Sequence, residues 1–236
     1  ARKRGPAKRI PLKMACHCAQ AQVIFLPLPL TISNGMHLVI LHYCQTGRFD
    51  DAEKGYLEVR EYYEKEKNLY EYANVNNSLG MMMCARNRAE QGVSYSLEAI
   101  ETYASLSEKD PCDKNLCALA NAYDTLSQIY NKMDCYEKAR ELSKKLYDIL
   151  KKLSEENGEK YMARYASSCG HYATNSDKIS EREQKQELLL EALNIFKNNG
   201  INLTKIFFYG DIKKLDDFLP KSGRLVDGQQ REKMVF

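Results

Sequence analysis

The sequence lacks several motifs on which whole classes of protein depend. It has no tryptophan, no Gly-rich phosphate loop and no CxxC pair, and its eight cysteines are scattered along 236 residues. Nucleotide-binding folds need the glycine loop, and zinc ribbons need the paired cysteines. Dispersed cysteines within predicted helices are typical of buried thiols in a reducing compartment. We therefore expect a cytoplasmic protein without a disulfide framework.

Residues that could carry catalysis or bind a metal are also sparse. The four histidines lie far apart at positions 17, 37, 42 and 171, and no nucleophile elbow accompanies them. The stretch Cys16-His17-Cys18 contains metal-binding residue types, but adjacent and alternate residues rarely supply a tetrahedral site, and no second ligand pair follows at standard spacing. We expect no enzymatic activity, no metal and no cofactor.

Acidic residues are absent from the first 49 positions, which carry seven lysines and arginines. The basic run from Ala1 to Lys13 leads into an apolar stretch from Val23 to Leu30, which prolines interrupt and which is too short to span a bilayer. We predict no transmembrane segment. Residues 1–35 are predicted to form an extended basic arm, with a targeting segment or an artificial end as the alternatives. Such an arm could contact RNA or an acidic partner through Ala1 to Lys13.

The body of the chain has a helical pattern. Between Met36 and Gly200 there is one proline, Pro111, and apolar residues recur at steps of three and four. The clearest segment runs from Asn121 to Leu153 and predicts two amphipathic helices joined by a tight turn. Its spacing of aromatic, turn and small residues, Tyr130, Asp134, Tyr136 and Ala139, recurs near the start of the body as Tyr43, Gly47, Phe49 and Ala52.

Two further predicted hairpins bring the number of repeated units to four. The positions predicted for close helix packing are Val39-Ile40, Leu79-Gly80, Leu126-Ser127 and Cys169-Gly170, at intervals of 40, 47 and 43 residues. The second hairpin is predicted to turn from Arg86 to Gly92, with its partner helix from Tyr95 to Leu106. The fourth is predicted to turn from Thr174 to Ser180, with its partner helix from Glu187 to Phe196.

This arrangement resembles the tetratricopeptide repeat (TPR) family, in a long-period variant similar to kinesin light chains and bacterial TPR regulators. HEAT-like and other helical-pair repeats have a similar period and remain alternatives for the subtype. The resemblance implies an all-α fold, an α-α superhelix of about four helical hairpins over residues 36–200. Residues 201–236 would then form a C-terminal cap and tail, because the last repeat of a solenoid otherwise leaves an apolar face in water.

The resemblance also implies a binding face. In TPR proteins one face of the first helix of each hairpin lines a concave groove, where Asn side chains can bond to the backbone of an extended peptide. Residues at corresponding positions, separated by steps of three and four, share that face here. The predicted peptide-binding residues are Asn74, Asn77, Asn121, Asp124, Gln128, Arg164 and His171. The alternative is an ordinary solvated face opposite the core.

The sequence therefore predicts a non-catalytic scaffold that binds a peptide or protein partner. Two other functions remain open. One is a structural subunit of a ribonucleoprotein or other large assembly, which would use the basic arm. The other is the sensory TPR segment of a larger signalling protein.

Overall fold

The computed structural model describes residues 40, 42–178 and 182–199, and this part of the chain is helical without any strand. After the short helical stretch 42–45 come seven helices. They are α1 (Phe49–Lys65), α2 (Leu69–Ala85), α3 (Ala89–Lys109), α4 (Asp113–Lys132), α5 (Tyr136–Glu156), α6 (Gly158–Lys178) and α7 (Arg182–Asn199). Among these residues, no helix combines the length and apolar character that crossing a bilayer requires.

One turn geometry recurs between the helices. Gly47, Lys67, Asn87 and Asp134 all adopt a left-handed backbone conformation, with φ between 54° and 76°. In each turn the next residue donates its backbone N–H to a carbonyl five residues back, as in the bond of 2.9 Å from Cys135 to Tyr130. This is the Schellman closure of a helix C-terminus. The turns predicted at Gly47 and Asp134 are confirmed.

The second hairpin has the same short turn, so the longer turn predicted from Arg86 to Gly92 is wrong. Helix α2 ends at Ala85 and α3 begins at Ala89, six residues before the predicted start. Asn87 supplies the left-handed residue, which asparagine tolerates better than most side chains. Gly92 lies inside α3, where a Cβ atom would come within 2.7 Å of the Gly80 carbonyl oxygen. Its small size serves the close crossing of α2 and α3.

The fourth hairpin also differs from the prediction. Helix α6 continues through Thr174 to Lys178, where a turn was predicted, and α7 begins at Arg182, before the predicted Glu187. Of the polar residues in the predicted turn, Asn175 is used inside the protein, whereas Thr174 is exposed. Asn175 is 3% exposed and bonds to neighbouring helices, while the Thr174 hydroxyl donates to the Gly170 carbonyl at 2.8 Å. Residues 179–181 lie outside the described part.

The helices stack into a TPR-like α-α superhelix. Each helix packs against its neighbours along the chain, and α2 also packs against α4. Within the described helices the buried apolar side chains form three clusters, one around Leu79 and Met83, one around Ala99 and Ala122, and one around Leu153 and Cys169. Half-buried Tyr123 and Ile149 contact both of the last two clusters. Neighbouring hairpins therefore share parts of one elongated core, as in a solenoid.

The predicted outer boundaries lie beyond the described residues. The structure does not describe the basic arm (1–35), the predicted cap and tail (201–236) or Cys16-His17-Cys18. The arm and the cap stay predictions.

Candidate protein-binding face

The seven predicted binding residues stand on the first helices of successive hairpins, α2, α4 and α6. We call the surface that these residues share the first-helix face. Along each helix they are separated by three, four or seven residues, which keeps them on one side of the helix. The structure joins α4 to α6 through several of them.

Asn121 and Arg164 form the first of these links. They occupy corresponding positions of the third and fourth hairpins, and the Arg164 guanidinium donates to Asn121 Oδ1 at 2.6 Å. Asn121 is exposed and Arg164 is half-buried. A hydrogen bond from a charged donor is stronger than one between neutral groups. The bond therefore sets the orientation of both side chains at the surface.

Asp124 is the centre of the second link. Its Oδ2 atom accepts from Gln128 Nε2 at 3.0 Å, and its Oδ1 atom lies 2.8 Å from His171 Nδ1 on α6. The side chains of His171 and Asp124 are 26% and 28% exposed. One carboxylate thus holds a residue of its own helix and a residue of the next hairpin.

The pKa values of this pair follow from its surroundings. Burial raises the pKa of Asp124, but the charge of His171, the hydrogen bonds from His171 and Gln128, and the charge of Arg164 outweigh it, so the pKa lies below its ordinary value. Burial lowers the pKa of His171, but the charge of Asp124 and its hydrogen bond outweigh that effect, so the pKa lies above 6.5. The pair therefore stabilises the charged form of each residue relative to its neutral form.

The two predicted residues on α2 are placed differently. Asn74 is exposed and donates to Glu71 Oε2 on its own helix at 3.3 Å. Asn77 is 5% exposed, and its Oδ1 atom has no hydrogen-bond partner among the residues that the structure describes. Neither forms a described hydrogen bond to α4. The structure therefore brings five of the seven predicted residues together, across α4 and α6.

Sequence reasoning missed the groups at the two ends of this face. Lys132 on α4 donates to the backbone carbonyl of Cys84 on α2. At the other end, Asp113 on α4 accepts from Tyr161 Oη at 2.7 Å and from Lys160 Nζ at 3.3 Å on α6. The opposite charges of Asp113 and Lys160 were the available signal, because their separation of 47 residues is the interval of 43 between these two hairpins plus about one helical turn. Lys132 gave no comparable signal, since its partner is a backbone atom.

The described residues contain no group of three or more His, Cys, Asp or Glu side chains that could hold a metal ion. His171 bonds to Asp124, and in this part of the chain no serine, threonine or cysteine side chain forms a hydrogen bond to its ring. The face offers amide, guanidinium, imidazole and carboxylate groups at a partly exposed surface. Such groups suit the recognition of polar atoms.

Comparison with known proteins defines the class of fold. No family model matches the sequence, and no curated protein matches it. Solved structures do match, and they are TPR-like repeat proteins, so this chain has a TPR-like solenoid fold. BtubC (BKLC) from P. vanneervenii superposes with a TM-score of 0.62 at 16% identity, over 80% of this chain and 72% of that one.

Two structures of nearly identical, kinesin light chain-like TPR-like repeats from Podosopora anserina are also similar. One of them, which carries a glutamine-to-methionine substitution, has a TM-score of 0.56 over 81% of this chain and 87% of that one. The other has a TM-score of 0.55 over 80% and 86%. Both are 16% identical to this chain. At that identity the likeness shows the fold alone. The repeats of these two structures are kinesin light chain-like, which is the kind of repeat that the intervals in this sequence predicted.

Proposed function

We propose that this protein is a non-catalytic interaction scaffold that binds an extended peptide, or an extended segment of a partner protein, on its first-helix face. The observation that carries the proposal is the polar row across α4 and α6. Asn121 and Arg164 are linked at 2.6 Å, and His171 and Asp124 at 2.8 Å, at a surface that solvent reaches.

The row suits a peptide because its groups both donate and accept. An extended backbone presents one N–H and one C=O per residue, and an amide side chain can bond to either. Among the described residues, the Asn121 amide nitrogen and the Nε and second terminal nitrogen of Arg164 form no hydrogen bond. The bonds between α4 and α6 hold these side chains in place, which lowers the entropy lost when a ligand binds. Asn74, exposed at the corresponding position of α2, would extend the row.

The absence of catalysis is part of the proposal. A histidine paired with an aspartate can act as a base only if a nucleophile or a substrate proton lies within hydrogen-bond reach. The described hydrogen bond of His171 is to Asp124 on the first helix of the preceding hairpin. The pair is better explained as a link between hairpins. A reducing, cytoplasmic setting is likewise proposed, because the six described cysteines are free thiols.

Selection from a displayed library of random peptides tests this function. Peptides enriched on the full chain should bind at least about tenfold more weakly to the double variant Asn121→Ala/Arg164→Ala, since two hydrogen bonds are worth more than about 1.4 kcal/mol together. The matched control is Lys144→Ala/Asn194→Ala, which removes one exposed cation and one exposed amide from second helices. Equal binding by both double variants, or no enriched peptide, would refute the proposal.

A further inference from the structure

Helix α3 exposes a row of residues that no described helix covers. The row is Glu90, Ser94, Leu97, Glu101, Ser105 and Glu108, and all six residues are exposed. Their steps of three and four place them on one side of the helix. Leu97 is 42% exposed, and none of the three glutamates forms an ion pair within the described residues. The row is thus an acidic, partly apolar strip without a single base.

The neighbouring helix α1 adds a second exposed leucine beside this strip. Leu57 is 40% exposed and stands at the position of the first hairpin that corresponds to Leu97. The two helices are joined by the bond of 3.0 Å from the Arg60 guanidinium to the Glu98 carboxylate. Glu98 directly follows Leu97, and Arg60 lies one helical turn after Leu57. We call the exposed sides of α1 and α3 around Leu57 and Leu97 the second-helix face.

The third hairpin shows that this face is not a general property of the fold. At the positions of α5 that correspond to the row on α3 stand Glu137, Glu141, Lys144, Asp148, Lys152 and Glu155. Lys144 stands in place of the exposed leucine, and Lys152 is a second base among the acids. Interspersed positive and negative charges are expected for a solvated surface. An exposed leucine beside glutamates that form no described ion pair is therefore found on α3 and not on α5. On α1 the exposed glutamates Glu58 and Glu61 pair with Lys54 and Lys65, so α1 contributes only its exposed leucine to the face.

The charges of the first hairpins and of the N-terminal segment are opposite. Residues 49–109, which form α1 to α3, carry 12 acids and 7 bases, whereas residues 110–199 carry 15 acids and 14 bases. Residues 1–39 carry six bases and no acid, and they also contain the apolar run from Val23 to Leu30. The segment next to the acidic hairpins along the chain therefore has the opposite charge and its own apolar surface.

We infer that the second-helix face is the docking site of the chain's own N-terminal segment, residues 2–30. Its lysines and arginines pair with Glu90, Glu101 and Glu108, and its apolar run covers Leu57 and Leu97. The distances permit this. The 26 residues between Lys13 and Ile40 reach about 85 Å when extended, and α3 is about 31 Å long. The docking surface is distinct from the first-helix face and does not depend on the function proposed above.

Carbodiimide cross-linking of the full chain tests the inference, because it joins only carboxylates and amines that are in direct contact. We expect Lys3, Lys8 or Lys13 to be linked to Glu90, Glu101 or Glu108. The yield should fall in about 0.5 M salt, which screens exposed charges beyond a few ångströms. A mixture of ¹⁴N- and ¹⁵N-labelled chains separates links within one chain from links between two copies.

A double variant tests the apolar contact while it keeps the carboxylates. Leu57→Ser/Leu97→Ser should reduce the yield of these links several-fold while the helical circular dichroism is unchanged. Leu190→Ser is the matched control, since Leu190 is 39% exposed on α7. Links spread over acids of α5 to α7, links mainly between differently labelled chains, or no links from the three lysines would each overturn the inference.

Discussion

Replacing Asn175 should uncouple the last hairpin from the rest of the superhelix. This side chain lies on α6 and is 3% exposed. Its amide nitrogen lies 2.5 Å from Ser143 Oγ on α5 and 3.1 Å from Ser127 Oγ on α4, and its Oδ1 atom accepts from Asn131 Nδ2 at 2.8 Å. The Ser127 hydroxyl donates onward to the Ala139 carbonyl at 3.0 Å. One amide thus joins three helices.

The cost of Asn175→Ala follows from this geometry. Three hydrogen bonds are lost, two to buried hydroxyls and one from Asn131, at about 1 kcal/mol each, and the shortened side chain leaves a small cavity. The two hydroxyls remain 2.9 Å apart and keep their mutual bond, which limits the loss. We expect a total of about 2–4 kcal/mol. For a chain of this size that lowers Tm by about 4–16 °C.

Urea and thermal unfolding followed by far-ultraviolet circular dichroism measure this loss, and Asn194→Ala is the control because Asn194 is an exposed asparagine on α7. Hydrogen exchange locates it. Since each hairpin of a solenoid contacts only its neighbours, α6 and α7 should lose protection while α2 and α3 keep theirs. Equal stability of the two variants, or an even loss of protection along the chain, would refute the reasoning.

Two other substitutions test the packing of the hairpins. Because Asp124 raises the pKa of His171, the stability that the pair contributes is complete below about pH 6.5 and declines as the pH rises through the raised pKa. The difference in Tm between the wild type and His171→Gln should therefore be larger at about pH 5.5 than at about pH 9. A difference that grows with pH would contradict this assignment. Gly92→Ala should destabilise by about 1–3 kcal/mol, despite the better helix propensity of alanine, since its Cβ would meet the Gly80 carbonyl oxygen at 2.7 Å. Gly158→Ala, where the nearest atom is the flexible Met162 Cε at 3.4 Å, is the matched control and should not lower the urea midpoint.

The sequence predicted the helical repeat because its signals are local. Left-handed residues at 47, 87 and 134 reproduce the predicted intervals of 40 and 47. Apolar periodicity and one turn residue are enough to place a hairpin. The errors arose where one residue type serves two purposes. Gly92 was placed in a predicted turn, but its small size permits a close helix crossing. Asn175 was also placed in a predicted turn, but its side chain bonds inside the stack.

For the candidate face, the sequence could predict only which residues lie on the same side of each helix. Repeat spacing placed Asn121, Asp124, Arg164 and His171 on one side of their helices, and the structure agrees. Their bonds to one another depend on partners 43 and 47 residues away, which helical periodicity does not encode. The burial of Asn77 likewise depends on how closely α2 approaches its neighbours.

Those bonds give the first-helix face a second role, because they also set the spacing between hairpins. The bonds from Arg164 to Asn121 and from His171 to Asp124 hold α6 against α4. A ligand that takes over Asn121 or Asp124 must compete with one of them, whereas a ligand that uses the remaining N–H groups leaves both intact. Since a solenoid transmits small rotations from one hairpin to the next, ligands of the first kind would change the curvature of the superhelix on binding, and ligands of the second kind would not.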